Sequence, residues 1–242
     1  MWEGAEVAGN PRVGGRRPQF DLDDIVHAGR TVGLDRLSVQ AVADELGVSA
    51  AAVYRLVPGR VALERLIGEA VLADCELPDD PADSVREHLL AFALRLRAFL
   101  LAHPGSARYL QLSFPRGPSG AKLQAAEVVA LVSRGYAPSA AAGLCGSVAS
   151  VAIGLLVGEE GILARIEDTD AAAELAADTT ETVMADPLLK EAHIGVPVVE
   201  PGEFFAIVMT AAVDGLVAML PPERGLDDLI TSARAAAKGR EA

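Results

Sequence analysis

The stretch LSVQAVADELGVSAAAVYRLVPGR, residues 37–60, constrains the fold of this chain most, because it has the pattern of two short helices joined by a tight turn. Ser38 is typical of the residue that caps a helix, and apolar residues follow it at helical spacing. Gly47 is the residue best able to adopt the left-handed conformation that ends that helix. Ser49 can cap a second helix over about residues 50–56, before a Pro-Gly pair closes it. The spacing predicts a helix-turn-helix, a unit that presents its second helix to the major groove of DNA.

Helical patterns flank this unit on both sides. Residues 21–32 form an amphipathic pattern with an acidic first turn, and residues 60–77 carry apolar side chains at helical spacing. Ala43 must be small where the two central helices cross, and Val53 fills the gap from the second helix. A composition rich in Ala and Leu, with little alternation of apolar and polar residues, predicts helices for the remainder. We therefore expect an all-α chain.

The segment HAGRTVGLDRLSVQAVADELGVSAAAVYRLVPGRVALERLI resembles the N-terminal domain of the tetracycline-repressor (TetR) family. The resemblance covers about residues 20–72, and the segment LLAHPGSARYL further along also resembles that family. It implies a ligand-responsive homodimeric transcriptional regulator of the repressor type, which binds palindromic operator DNA in the major groove. The implied fold is a three-helix helix-turn-helix domain followed by a helical domain for effector binding and dimerisation. The implied partners are double-stranded operator DNA, a largely apolar small-molecule effector and a second copy of the chain.

Shifts in composition divide the chain into three parts. Residues 1–19 are polar and glycine-rich without the pattern of a secretory signal, and we expect a disordered arm there. Residues 20–77 are the expected DNA-binding domain. The segment LPDDP separates it from residues 78–242, the expected effector-binding and dimerisation domain. The two cysteines are far apart and suit reduced thiols, which together with the missing signal predicts a cytoplasmic protein.

The TetR resemblance also implies which residues contact DNA. Gln40 can reach a base edge, Tyr54 can reach a phosphate and a thymine methyl group, and Arg55 can contact phosphate or guanine. Simpler roles stay open: the two serines can act only as caps, Tyr54 can pack against the first helix, and the arm arginines can be solvated. The complete set of expected DNA contacts is Arg16, Arg17, Ser38, Gln40, Ser49, Ala50, Ala51, Tyr54, Arg55 and Arg60.

The net charge of the N-terminal region argues against DNA binding. Residues 1–77 hold eight Arg or Lys against twelve Asp or Glu, whereas DNA-binding domains are typically basic. Residues 50–52 are all alanine, which can contact a thymine methyl group but cannot hydrogen-bond to a base. The main interpretation therefore requires the acids, Asp44 and Glu45 among them, to point away from the DNA. The alternative is a helical ligand-binding or protein-interaction module whose helix-turn-helix no longer binds DNA specifically.

A continuous apolar stripe predicts a helix from Ser84 to about His103, and the aromatic residues near it suit an apolar effector. For each of them the ordinary alternative is a core side chain, and for His103 it is a hydrogen bond to a helix carbonyl. His88 is expected to face solvent. The expected ligand pocket consists of Phe92, Leu96, Phe99, His103, Tyr109 and Phe114.

Two apolar segments, residues 135–158 and 204–220, are long enough for buried helices or membrane spans. Small residues dominate the first and Asp214 interrupts the second, which argues against membrane spans. The TetR resemblance implies that two such helices pair with those of a second subunit as a four-helix bundle, so we expect dimer helices and no membrane partner. The expected dimer interface consists of Val148, Val151, Leu155, Phe205, Met209, Val213 and Leu216. The histidines are scattered, and no pattern of a metal site or an enzyme active site is found. We expect no metal, no cofactor and no enzymatic activity.

Overall fold

The computed structural model describes residues 20–113, 117–166, 182–194 and 196–238, and within these ranges the regular secondary structure is entirely helical. The expected all-α fold is therefore confirmed for the described residues. The helices are α1 (Leu22–Val32), α2 (Val39–Glu45), α3 (Ala50–Tyr54), α4 (Arg60–Leu72), α5 (Val85–Leu101), α6 (Ser106–Ser113), α7 (Pro118–Ser133), α8 (Pro138–Ile166), α9 (Pro187–Ile194), α10 (Pro201–Met219) and α11 (Leu226–Lys238).

Helices α1 and α5 begin with reciprocal caps that neighbouring residues supply. The Asp21 carboxylate accepts hydrogen bonds from the backbone N–H groups of Asp23 and Asp24, and the Asp24 carboxylate accepts one from the Asp21 N–H. Ser84 and Glu87 form the same reciprocal pair at the start of α5, where the sequence predicts a helix start. Each cap satisfies backbone donors that a helix start leaves without a partner, which fixes where the helix begins.

The helix-turn-helix forms as the sequence predicts, with α2 and α3 joined through Gly47. Gly47 has a φ of 65°, a left-handed conformation that residues with a side chain rarely adopt. Two helices end earlier than expected: α3 ends at Tyr54 instead of near residue 56, and α4 ends at Leu72 instead of near residue 77. Helix α7 begins at Pro118, and proline suits the first position of a helix.

The described residues form two hydrophobic cores that meet at α4. The head core is built from α1 to α4, and the body core from α5 to α8 with α10. Helix α4 contributes Val71 to the head core and Leu72 to the body core, and Phe99 of α5 touches both. We call residues 20–72 the head and residues 85–238 the body. The expected domain limits at residues 19 and 77 stay predictions.

Helices α8 and α10 are, among the described helices, the two that are long and apolar enough to cross a membrane by length and composition alone. Half of the most apolar window of α8 is buried inside the chain, against 17% of that of α10. The expected dimer interface needs a correction, because four of the residues expected there face inward. They lie in the body core at no more than 1% exposure: Val148, Phe205, Met209 and Val213. The other three are partly buried against the same core: Val151, Leu155 and Leu216.

The crossing of α2 and α3 generates the first prediction. Ala43 and Val53 are both fully buried where these helices pack, so a larger residue at position 43 has no space. We expect Ala43→Leu to lower the free energy of unfolding by about 1–3 kcal/mol through overpacking. Ala51→Leu makes the same chemical change on the exposed side of α3 and should change the free energy of unfolding by less than about 0.5 kcal/mol. Urea unfolding of both variants measures this, and equal losses would contradict the tight crossing.

Candidate nucleic-acid interface

The outward side of α3 carries three of the expected DNA contacts. Ala51, Tyr54 and Arg55 are all exposed, and they follow at the spacing of one helical face. Tyr54 is 53% exposed, so it does not take the alternative role of packing against α2. The opposite side of α3 is fixed by Ala52 and Val53, which lie at 8% and 0% exposure. Because its inner side is anchored, this short helix presents a defined outer surface.

The two serines that precede α2 and α3 differ in what they do. The Ser38 hydroxyl accepts a hydrogen bond from the Ala41 backbone N–H at 3.0 Å, so Ser38 caps α2. Ser49 stands at the capping position of α3 but makes no side-chain cap hydrogen bond, which corrects the expectation from sequence. The Ser49 side chain is exposed, and the N-terminus of α3 therefore has no side-chain oxygen bound to it.

Acidic residues lie directly beside two of the expected DNA contacts. The Gln40 side-chain amide donates to the Asp44 carboxylate at 2.7 Å, and the Arg60 guanidinium donates to the Glu64 carboxylate at 2.6 Å. Asp44 thus does not point away from the expected contact surface, which corrects that expectation. Arg16 and Arg17 lie outside the described residues. The described part of the candidate surface is therefore nearly balanced in charge.

A surface cleft of about 350 Å³ opens next to α3. It is bounded by the start of the described chain on one side and by both ends of α3 on the other. Its lining residues are Phe20, Gly47, Val48, Ser49, Ala52, Arg55 and Leu56. The cleft places the Arg55 side chain at the junction of α3 with the residues that precede α1.

The residues expected to form a ligand pocket mostly fill the body core. Phe92 and Leu96 are 5% and 4% exposed and pack against neighbouring core side chains. The His103 ring donates through Nδ1–H to the Phe99 carbonyl oxygen at 2.8 Å, which is the ordinary role open to a histidine near a helix end. The Tyr109 hydroxyl donates to the Glu69 carboxylate at 3.4 Å, and burial raises the pKa of Tyr109 to about 12. Phe114 lies outside the described residues.

A buried polar cluster in the body escaped the sequence analysis. His88, expected to face solvent, is 2% exposed, and its Nε2 lies 2.9 Å from the carboxylate of the buried Glu127 on α7. Its Nδ1 lies 2.9 Å from a carboxylate oxygen of Asp79. Arg134 donates to Asp79 at 2.7 Å and lowers the pKa of that carboxyl group. The Tyr136 hydroxyl is also buried and makes no hydrogen bond. No local pattern links His88 with Glu127, because 39 residues separate them.

The described residues contain no group of three or more His, Cys, Asp or Glu arranged to hold a metal ion. Both cysteines are buried with free thiols. Taken together, the molecule has a helix-turn-helix head whose second helix is exposed, joined through α4 to a larger helical body. This is the architecture of a helical transcriptional regulator of the helix-turn-helix class.

Comparison with known proteins identifies the family within that class. A family model described as "Tetracyclin repressor-like, C-terminal domain" matches residues 77–220. The chain therefore belongs to the tetracycline-repressor-like family of transcriptional regulators. The resemblance of the head sequence to the same family agrees with this match in the body.

Individual relatives agree with the family. The HTH-type transcriptional repressor DrrR1 of Streptomyces coeruleorubidus is 34% identical over 110 residues, which are 43% of this chain and 41% of that relative. The TetR family protein ActR of Streptomyces coelicolor, solved in complex with actinorhodin, has a TM-score of 0.67 at 22% identity, covering 85% of this chain and 99% of ActR. Mycobacterium smegmatis BioQ has a TM-score of 0.61 at 19% identity, covering 83% and 99%. The solved structures show a shared fold.

The buried thiols generate the second prediction. Burial raises the pKa of the Cys75 thiol to about 11 and that of Cys145 to about 12, so at pH 8 only about a thousandth or less of each is thiolate. We expect neither thiol of the folded chain to react with 5,5′-dithiobis(2-nitrobenzoate) at pH 8 within minutes. Both should react completely in denaturing urea, which serves as the control. Rapid reaction of the folded chain would contradict the burial.

Proposed function

We propose that this chain is a cytoplasmic, homodimeric, ligand-responsive transcriptional repressor that binds operator DNA through α3. The single observation that carries the proposal is the exposed side of α3, formed by Ala51, Tyr54 and Arg55, on a helix whose inner side is anchored. A recognition helix needs this combination, because base edges are read only by side chains held at a fixed depth in the groove. The exposed Ser49 and Gln40 flank this surface and supply hydrogen-bonding groups.

The exposed apolar side of α10 supports the homodimer. Phe204, Ile207 and Met219 of this helix are each more than half exposed to solvent. On α8, small residues form the outward side, and no atom lies within 4 Å of where a side chain would begin at Gly154 or Gly158. Helices can approach closely along such a side. We therefore assign the dimer contact to these outward sides of α8 and α10.

An ion pair favours a second copy of the chain over a lipid bilayer as the cover of α10. Asp214 lies near the middle of the apolar part of α10 and pairs with Arg86 of α5 at 2.5 Å. Both side chains are about half exposed. Charged groups inside a bilayer are costly, whereas the polar rim of a protein interface tolerates them.

The body supplies the proposed effector site. ActR, which shares this fold, has been solved in complex with actinorhodin. We assign an effector site of this chain to the region enclosed by α5 to α8. Phe92 and Leu96 fill this region, so an effector that enters must displace them and shift the packing around them. An effector with higher affinity for the displaced arrangement would move the heads through α4 and release DNA.

A second candidate function rests on the acids beside the DNA contacts. Because Asp44 binds Gln40 and Glu64 binds Arg60, the head lacks the positive surface typical of DNA-binding domains. These contacts favour a helical module that binds a small molecule or another protein and no longer binds DNA specifically. Sequence-selective DNA binding separates the two functions, because only the repressor requires it.

Loss of the Arg55 side chain tests the repressor directly. We expect Arg55→Ala to weaken binding to DNA from immediately upstream of the gene by about 1–3 kcal/mol, and to reduce its salt dependence by about one ion. Fluorescence anisotropy at two salt concentrations, with a scrambled DNA of equal length, measures both. Arg108→Ala removes an exposed arginine from the body and is the matched control. Equal affinity of wild type for both DNAs would favour the second candidate function.

A charge on the outward side of α10 tests the dimer. We expect Ile207→Glu to convert the dimer into a 25.1 kDa monomer, because it buries an unpaired carboxylate in the contact. Val129→Glu makes a similar change at a 69% exposed residue on α7 and should leave the dimer intact. Light scattering after size-exclusion chromatography measures the mass. A dimer of Ile207→Glu would contradict the assigned contact.

A further inference from the structure

The carboxylate of Glu69, on α4 of the head, reaches into the body. Its Oε2 accepts a hydrogen bond from the Ser119 backbone N–H at 2.7 Å, and its Oε1 accepts one from the Tyr109 hydroxyl at 3.4 Å. The Ser119 hydroxyl in turn donates to the Glu69 carbonyl oxygen at 2.9 Å. One residue of the head thus contacts α6 and α7 at the same time.

Helix α7 depends on this carboxylate for its cap. Its capping position is Gly117, which has no side chain, and Pro118 follows without an N–H to donate. Ser119 carries the first N–H that points out of the helix start, and Glu69 accepts it. A negative charge is favourable at this end of a helix because of the helix dipole. The cap of a body helix is therefore supplied by the head.

Two glycines allow α4 to approach α6 and the start of α7 closely. A Cβ at Gly117 would overlap the Glu69 carboxylate, and a Cβ at Gly68 would overlap the Tyr109 ring. Gly117 has a φ of −132°, which any residue adopts, and the three atoms nearest to a Cβ at this position all belong to the Glu69 carboxylate. Helix α4 thus lies directly against both body helices over one turn.

Because α4 belongs to the head, the contact of Glu69 with the body bears on how the head is oriented. Leu63 and Ile67 anchor α4 in the head core, so the direction of α4 sets the direction of the whole head. We propose that Glu69 is a positioning residue that fixes the angle between head and body by capping α7 from α4. Gly105 of the body also packs against the backbone of Leu34 and Asp35 of the head. We expect this second contact to hold the head to the body when the Glu69 carboxylate is lost. Loss of the carboxylate therefore changes the angle without separating head and body.

The angle is measured within one chain, so the test does not require a dimer or DNA. Spin labels at Glu45→Cys in the head and Ser139→Cys at the start of α8 mark exposed residues on the two parts. The native thiols are buried and stay unlabelled. Pulsed electron paramagnetic resonance on labelled chain diluted into unlabelled chain gives the distance distribution. We expect Glu69→Ala and Gly117→Ala each to shift or broaden it.

Two comparisons separate positioning from general stability. Glu64→Ala removes a carboxylate from the same helix, one that forms an ion pair with Arg60 of that helix, and we expect the wild-type distribution. Gly117→Ala added to Glu69→Ala should have no further effect, because the carboxylate that excludes the methyl group is gone. The proposal is overturned by a wild-type distribution in both single variants, even with a lower melting temperature. The proposal is also overturned when Gly117→Ala changes the distance distribution as much in the Glu69→Ala variant as it does in the wild type.

The effect on DNA rests on the proposed function and is read separately. In a DNA-binding dimer the angle between head and body sets the separation of the two recognition helices. Glu69→Ala should therefore change the affinity for operator DNA. Glu64→Ala should leave the distance between the spin labels unchanged. A shifted distance in a protein whose wild type binds no specific DNA would support the positioning role and overturn the repressor. Wild-type distances in Glu69→Ala and Gly117→Ala, together with specific operator binding by the wild type, would support the repressor and overturn the positioning role.

Discussion

The rest of the structure depends on the packing of α4 against two cores at once. Leu63 and Ile67 on the inner side of α4 pack in the head core, and Leu72 on the next turn packs in the body core. Between these, Gly68 lets the Tyr109 ring approach the helix backbone. A helix shared in this way cannot move in one core without straining the other, because close-packed interiors transmit displacement. The head is thereby oriented by the body, which is the physical requirement for any coupling between an effector and DNA.

Local signals predicted the elements whose ends are encoded by neighbouring residues. The caps at Ser38 and Ser84 and the left-handed Gly47 involve partners within a few residues, and the structure has each of them. The stripe that predicted α5 identified a helix that begins where expected. Ser49 shows the limit of the same reasoning, because its position is that of a cap while its hydroxyl makes no cap bond. A residue type indicates where a helix begins but does not show which oxygen satisfies its first N–H groups.

Contacts between distant residues had no comparable signal. The sequence analysis expects His88 to face solvent, yet its ring lies 2.9 Å from both Glu127 and Asp79. Helices α8 and α10 are apolar on most sides, so their sequences carry no polar face that tells inside from outside. For that reason Val148 and Phe205, which belong to the body core, were expected at the dimer contact. No local pattern reveals why position 117 is a glycine, because the atoms that a side chain there would meet belong to a glutamate on another helix.

The charge of the head then bears on how such a protein binds DNA. The Gln40–Asp44 hydrogen bond and the Arg60–Glu64 ion pair are both exposed, and exposed pairs of these kinds contribute at most about 1 kcal/mol, so DNA can displace the acids at small cost. What the acids do reduce is the long-range attraction to phosphates that dominates non-specific binding. Under the proposed function, we expect a head built this way to bind arbitrary DNA weakly and to depend on close contacts from the α3 surface and on DNA shape. The acidic composition that first argued against DNA binding is thus compatible with a selective binder, provided that Tyr54 and Arg55 supply the contacts that the missing positive charge does not.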